Sequence, residues 1–322
     1  MNQPVRKRWL TLFTVVAGGI GLAVCLGVVN WKTGLFSDRL IPDRFRPARD
    51  SRSRPLFVAP PPPRHQIAVV HLDQSVVLES PNGTTQTIAY SSVVLDPRWI
   101  DLHYFSGWSR EFEANADSQA LVFFTGPTFE KGHPETPLGM VLHGDLKFSD
   151  QVVRAGNRSA AAQRAFVAVD HKGLLQFGFG PLTSNANQRY RLFIGGLHAF
   201  TRPPGEPPLG YKGVYGAMTM ADVRIVYGVR SDGRLEVVET ADGVLFPDLR
   251  RFVEAKGFVA SFLPDHASKS RLIIPGQRLW SEEQAVWVSG GKPSITALPF
   301  MVRVVPRSQP PVVQGEGMEA AN

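Results

Sequence analysis

Cysteine is almost absent from this chain. Among 322 residues there is one, Cys25. That excludes a disulfide framework and any cysteine-based zinc site. Cys25 lies in an apolar N-terminal run, so it is no nucleophile of the folded body. The common catalytic signatures are missing too: there is no G-x-S-x-G, no H-E-x-x-H, no P-loop and no dinucleotide fingerprint. The eight histidines are dispersed along the chain. None pairs at metal-ligand spacing, so no metal is expected and no cofactor is identified.

A basic surface is also lacking, although the pI is about 9.7. Residues 1 to 64 hold eleven Lys/Arg against three Asp, a net +8, while the whole chain carries +7. The remainder therefore carries −1 and offers no groove for nucleic acid.

One long uncharged run is present, the 23 residues from Trp9 to Trp31. About 20 apolar residues cross a bilayer. Tryptophans sit at both ends, where indoles favour the interface, and Arg6, Lys7 and Arg8 precede the run. By the positive-inside rule the N-terminus stays cytoplasmic and the body lies across the membrane. A cleaved signal peptide would have a shorter core and a small-residue cleavage site. A lipidated Cys25 would want a smaller neighbour than Val24. The sequence thus predicts residues 1–31 as cytoplasmic tip and anchor in an inner or plasma membrane, residues 32–64 as a basic, proline-rich linker ("APPPPR"), 65–305 as a periplasmic domain, and 306–322 as a disordered tail.

The body reads as strands: "IAVVHLDQSVVLE", "TQTIAYSSVVLD", "ALVFFTG", "LGMVLHGDLKFS", "AFVAVDHKGLLQFGFG", "VRIVYGVRSDGRLEVVE", "GFVASFL", "SRLIIPGQRLW" and "PFMVRVVP". Asn82-Gly83 marks a hairpin, as do the turns at "DHKG" and "SDG". Two helices are expected, in "GWSREFEANAD" and "FPDLRRFVEAKG"; the second has Pro247 and Asp248 in its first turn and Gly257 as its cap. The fold class is α+β on antiparallel sheet. Asp145, Asp170 and Asp232 read as turn residues. Asp265 differs: it ends a helix–strand unit and brings His266, Ser268, Lys269, Ser270 and Arg271 into one polar corner.

Four stretches in this order resemble the phosphodiester glycosidase family, which includes the enzyme that uncovers N-acetylglucosamine from phosphodiester-linked glycans. "SQALVFFTGPTF" falls where that family has a strand ending in an Asn-Gly-Gly-Phe-Phe-like loop. "TPLGMVLHGDLKFS" and "AFVAVDHKGLLQFG" resemble its next strand pairs. "VRIVYGVRSDGRLEVVE" keeps Arg224, Gly228, Asp232 and Gly233 of its Arg-x-x-x-Gly-x-x-x-Asp-Gly pair. "DLRRFVEAKGFVASFLPDHASKSRLIIPG" is similar to its helix, strand and Asp-Gly-Gly-Gly-Ser-Ser loop, with Asp265 on the Asp and Ser270 on the second Ser.

The resemblance implies a glycosidase-like hydrolase of glycosyl phosphodiesters or envelope polysaccharide. Asp265 would act as acid/base or nucleophile helped by His266, Arg224 would clamp a phosphate, and Ser268, Ser270, Thr125 and Gly126 would contact substrate. The chain departs from the family pattern at Thr125, in place of the loop amide, and at His266, Ala267 and Ser268, in place of three glycines. Those departures suit an alternative, a membrane-tethered glycan- or protein-binding module on the same fold.

Overall fold

A computed structural model describes residues 55–58 (backbone only), 67–79, 83–201, 207–209, 221–264, 270–282 and 296–307. The chain divides into two units, Met1–Ser51 and Arg52–Asn322, and every described residue lies in the second. The expected membrane run, most of the linker, the tail beyond 307, Asn82, and the corner residues Asp265, His266, Ser268 and Lys269 lie outside the described residues. Among the described residues no helix is long and apolar enough to cross a membrane.

The elements are β1 (Pro55–Val58), β2 (Ala68–Glu79), β3 (Thr85–Leu95), β4 (Ile100–Ser106), α1 (Glu111–Ala116), β5 (Val122–Thr125), β6 (Phe129–Lys131), β7 (Met140–Leu142), β8 (Leu146–Lys147), β9 (Val152–Val153), α2 (Arg158–Gln163), β10 (Ala165–Asp170), β11 (Leu175–Phe179), α3 (Ser184–Arg189), β12 (Tyr190–Thr201), β13 (Ile225–Val229), β14 (Leu235–Thr240), α4 (Phe246–Ala255), β15 (Ala260–Leu263), β16 (Leu272–Ile273) and β17 (Phe300–Pro306). An 11-stranded sheet runs β1-β11-β10-β12-β15-β13-β14-β3-β2, with β8 and β9 branching from β12. A 4-stranded sheet runs β16-β5-β17-β4. Every strand pairing among the described residues is antiparallel, so the fold is α+β built mainly on antiparallel sheet.

Alternation along the strands sorts the side chains into layers. Ile225, Tyr227 and Val229 of β13 join Val122, Phe124, Leu272 and Val302 in a core between the two sheets. Val226 of β13 and Val238 of β14 point the other way, onto Leu249, Phe252 and Val253 of α4. This period-2 division is what a sheet covered on both faces requires. Helix α4 starts with Pro247 near its N-terminus and stops at Gly257, whose φ of +66° suits a residue without Cβ.

Several expectations need correction. Asp145, expected as a turn residue in "HGDL", does not serve a hairpin: β7 pairs with β6, and β8 pairs with β9 and β12. Asp145 is fully buried there, and its carboxylate accepts from the Ala155 and Leu182 amides (both 2.9 Å) and from Arg158 (2.7 Å). It ties three segments together instead of turning one. Pro55–Val58, within the expected linker, forms a strand on β11. Strands β4 and β12 and helices α2 and α3 went unread. The β12 pattern is broken by Gly195-Gly196, which lie so close to Gly144 that a Cβ on Gly144 would sit 2.0 Å from the Gly196 nitrogen. Asp170 and Asp232 do cap the turns expected of them.

Candidate functional site

The corner that stood out in the sequence is framed by described residues on both sides. Its N-terminal end leaves β15 at Leu263, which pairs with His198 of β12. Its C-terminal end enters β16 through Ser270 and Arg271. There the Thr125 amide donates to the Arg271 carbonyl (3.0 Å) and the Arg271 amide donates to Thr125 Oγ1 (2.7 Å). A third link closes the frame, from Thr128 Oγ1 to the Gly196 carbonyl (3.3 Å). The segment 264–270 is therefore held at one end by the large sheet and at the other by the small one.

Of the residues expected at the site, Thr125, Gly126 and Ser270 come together. Thr125 is 1% exposed, and its carbonyl also accepts from the Tyr227 hydroxyl. Gly126 is buried beneath Phe300, where an added Cβ would sit 2.2 Å from the ring. Ser270 is buried, and its hydroxyl has no hydrogen-bond partner among the described residues. Arg224 lies elsewhere. Its amide donates to Thr240 Oγ1 (2.9 Å), its Nε donates to the Val244 carbonyl (3.1 Å), and its guanidinium sits 4.6 Å over the Phe246 ring. Val244 and Phe246 belong to the α4 cluster, so Arg224 is on the face of the large sheet away from Thr125.

Sequence reasoning missed the groups that hold this frame. Arg271 is 2% exposed and donates to Glu111 Oε1 (3.1 Å), to the Ser270 carbonyl (2.9 Å) and to the Thr296 carbonyl (2.9 Å). Its guanidinium lies 5.5 Å from the Trp280 ring. Asn115 clasps the Trp280 backbone, donating to its carbonyl (2.9 Å) and accepting from its amide (2.8 Å). Helix α1 thus buttresses the chain that leaves the corner. At the other end, Arg164 Nη1 meets Nε2 of the buried His198 ring, so cation and imidazole lie together beside the point where the corner begins. A cation opening the apolar run "RLIIPG" was the one legible sign of Arg271. Glu111 gave none, being 160 residues away. Among the described residues no three His, Cys, Asp or Glu side chains gather to hold a metal.

No family model matches this chain, and no curated protein does. Solved structures do. A Burkholderia pseudomallei protein described as exported has a TM-score of 0.41 at 12% identity, covering 69% of this chain and 75% of that one. A Synechocystis protein has 0.45 at 13%, covering 73% and 62%. The catalytic domain of zebrafish N-acetylglucosamine-1-phosphodiester alpha-N-acetylglucosaminidase, auto-inhibited by its pro-peptide, has a TM-score of 0.55 at 14% identity, covering 78% of this chain and 87% of that domain. The chain has a phosphodiester-glycosidase-like fold.

Proposed function

We propose that this chain is a membrane-anchored hydrolase, held by residues 9–31 with its body on the periplasmic side, and that it cleaves glycosyl phosphodiesters or related bonds of envelope polysaccharide. The observation that carries this reading is the frame around residues 264–270, built on the fold of a phosphodiester glycosidase catalytic domain. The sequence between the two anchored ends carries Asp265, His266 and Ser268, with Ser270 at its C-terminal anchor. A carboxylate and an imidazole in one segment are a workable acid/base set, since histidine titrates near neutral pH. Ser270 and Gly126 would contact the substrate there.

A second reading is supported by the filling of the expected pocket. Thr125 is 1% exposed with its hydroxyl bonded to the Arg271 amide, and Gly126 lies under Phe300. Both features suit a tethered module that binds glycan or protein without cleaving it.

The test is hydrolysis of a panel of sugar 1-phosphodiesters by the full-length chain, with and without divalent metal. The hydrolase reading expects turnover that Asp265→Asn abolishes while the thermal unfolding midpoint stays put. Absence of turnover on every substrate overturns it in favour of the binding module, and turnover indifferent to Asp265→Asn overturns the acid/base set placed in this segment.

A further inference from the structure

Strand β2 closes one end of the 11-stranded sheet, and among the described residues it pairs only with β3. A β-bulge between His71 and Gln74 divides it in two. The run after the bulge, Ser75–Glu79, keeps regular register with β3.

Hydrogen-bond parity shows which backbone groups that run leaves open. The Ala89 carbonyl of β3 accepts from the Ala241 amide (2.8 Å), so Ala89 directs its backbone groups to the side away from β2. Ser75 stands opposite Ala89. In an antiparallel ladder the two members of such a pair exchange no hydrogen bonds, so Ser75 directs its N–H and C=O outward. Val77 and Glu79 have the same parity. Their amides and carbonyls line about 14 Å of edge with no strand beside them among the described residues. The edge is also undefended. Natural edges are blunted by lysine, proline or a bulge. This run has no lysine, arginine or proline, and the bulge ends before it begins. At its centre Val77 is 62% exposed.

The sequence of the run selects what would pair with it. Set antiparallel to itself about a twofold axis at Val77, it matches Val77 with Val77, Ser75 with Glu79 and Val76 with Leu78. All three open residues then meet open residues, as a hydrogen-bonded pairing requires. A hydroxyl faces each carboxylate, and the two Glu79 side chains stand at opposite ends. Val76 and Leu78, which pack toward the α4 cluster, meet as an apolar pair. Moving the axis to Val76 would set Glu79 against Asp73 of the other copy, and like charges directly opposite are destabilising. We propose that the partner of this edge is a second copy of the chain, paired β2 to β2 in the register centred on Val77. The interface is isologous, and it joins two large sheets into one.

A five-residue edge falls short of the roughly 1,200 Å² that a standard interface buries, so the association is weak and suits disulfide trapping. The full-length chain carries Cys25→Ser, which removes its one cysteine, and is oxidised with diamide in mild detergent. Val77→Cys should give a disulfide-linked dimer, since paired Cα atoms lie about 5.5 Å apart, within the reach of a disulfide. Ser75→Cys should give about tenfold less or none, because its two copies lie about 14 Å apart, beyond that reach. A mixture of Ser75→Cys and Glu79→Cys chains should cross-link as heterodimers, which keeps the test decisive if Val77→Cys does not fold. Adding Val77→Pro to both chains of that mixture should abolish the cross-link. Proline there removes an outward N–H and leaves the β2–β3 ladder its own donors. Equal trapping of Val77→Cys and Ser75→Cys overturns the proposal. So does trapping of neither Val77→Cys nor the mixture, or a cross-link that survives Val77→Pro.

Discussion

Removing the Glu111 carboxylate should be among the most damaging single changes to this fold. In Glu111→Ala, Arg271 keeps its bonds to the Ser270 and Thr296 carbonyls and its place over Trp280, but loses its described counter-charge. Breaking a buried ion pair from one side costs about 3–5 kcal/mol. The remaining bonds place the expected cost near the lower figure, about 3 kcal/mol. For a domain of this size, that lowers the midpoint of thermal unfolding by about 6–12 °C. The double replacement Glu111→Leu with Arg271→Met fills the same space without charge and should recover most of the loss, because no uncompensated ion remains. Urea denaturation of the three proteins measures all of this. A Glu111→Ala loss below about 1 kcal/mol, or a double variant no better than the single one, would refute the view that this pair locks helix α1 onto the site frame.

Two further outcomes follow from geometry and charge. Gly144→Ala should destabilise more than Gly126→Ala. The first puts a methyl against the Gly195-Gly196 backbone, while the second meets the Phe300 ring, which can shift a little against Tyr104; paired chemical denaturation curves would show the order, with Gly126→Ala costing about 1–3 kcal/mol. Burial by itself would raise the Glu236 carboxyl, but hydrogen bonds from Lys256, Ser92 and Arg230 outweigh it and hold the group below the usual carboxylate range. A depressed carboxyl stabilises the fold above its unfolded value, about 4.3, and that contribution fades as pH falls through the folded value. The gap in unfolding free energy between the native chain and Glu236→Gln should accordingly be wide at neutral pH and narrow toward pH 3; a gap independent of pH would contradict the assignment.

Much of the fold was legible because strand alternation and turn chemistry are local. The hairpins at Asp170–Gly173 and Ser231–Gly233, and helix α4 with its Pro247 start and Gly257 stop, follow from residues a few positions apart. Strand β12 escaped because Gly195 and Gly196 interrupt its pattern for the sake of Gly144, a neighbour far off in the chain. Asp145 was misread for the same reason: Asp before a strand usually serves its own turn, whereas this one serves amides 10 and 37 residues away. At the site, the order of motifs was readable. The pairing of Arg271 with Glu111 was not, because nothing local distinguishes a buried arginine from an exposed one at the start of a strand.

Leu263 and Arg271, on either side of the corner, belong to two layers whose facing surfaces meet largely through side chains. The distance between those anchors therefore depends on what fills the gap. Between those layers the Tyr227 ring meets Phe124 edge-on at 5.2 Å, and its hydroxyl reaches the Thr125 carbonyl. Tyr227 acts as a spacer, and the core becomes the calliper of the site: changing what stands between the sheets would shift Leu263 relative to Arg271 without altering the surface. The geometry of the frame is thus tuned from the interior, through substitutions that no inspection of the surface would single out.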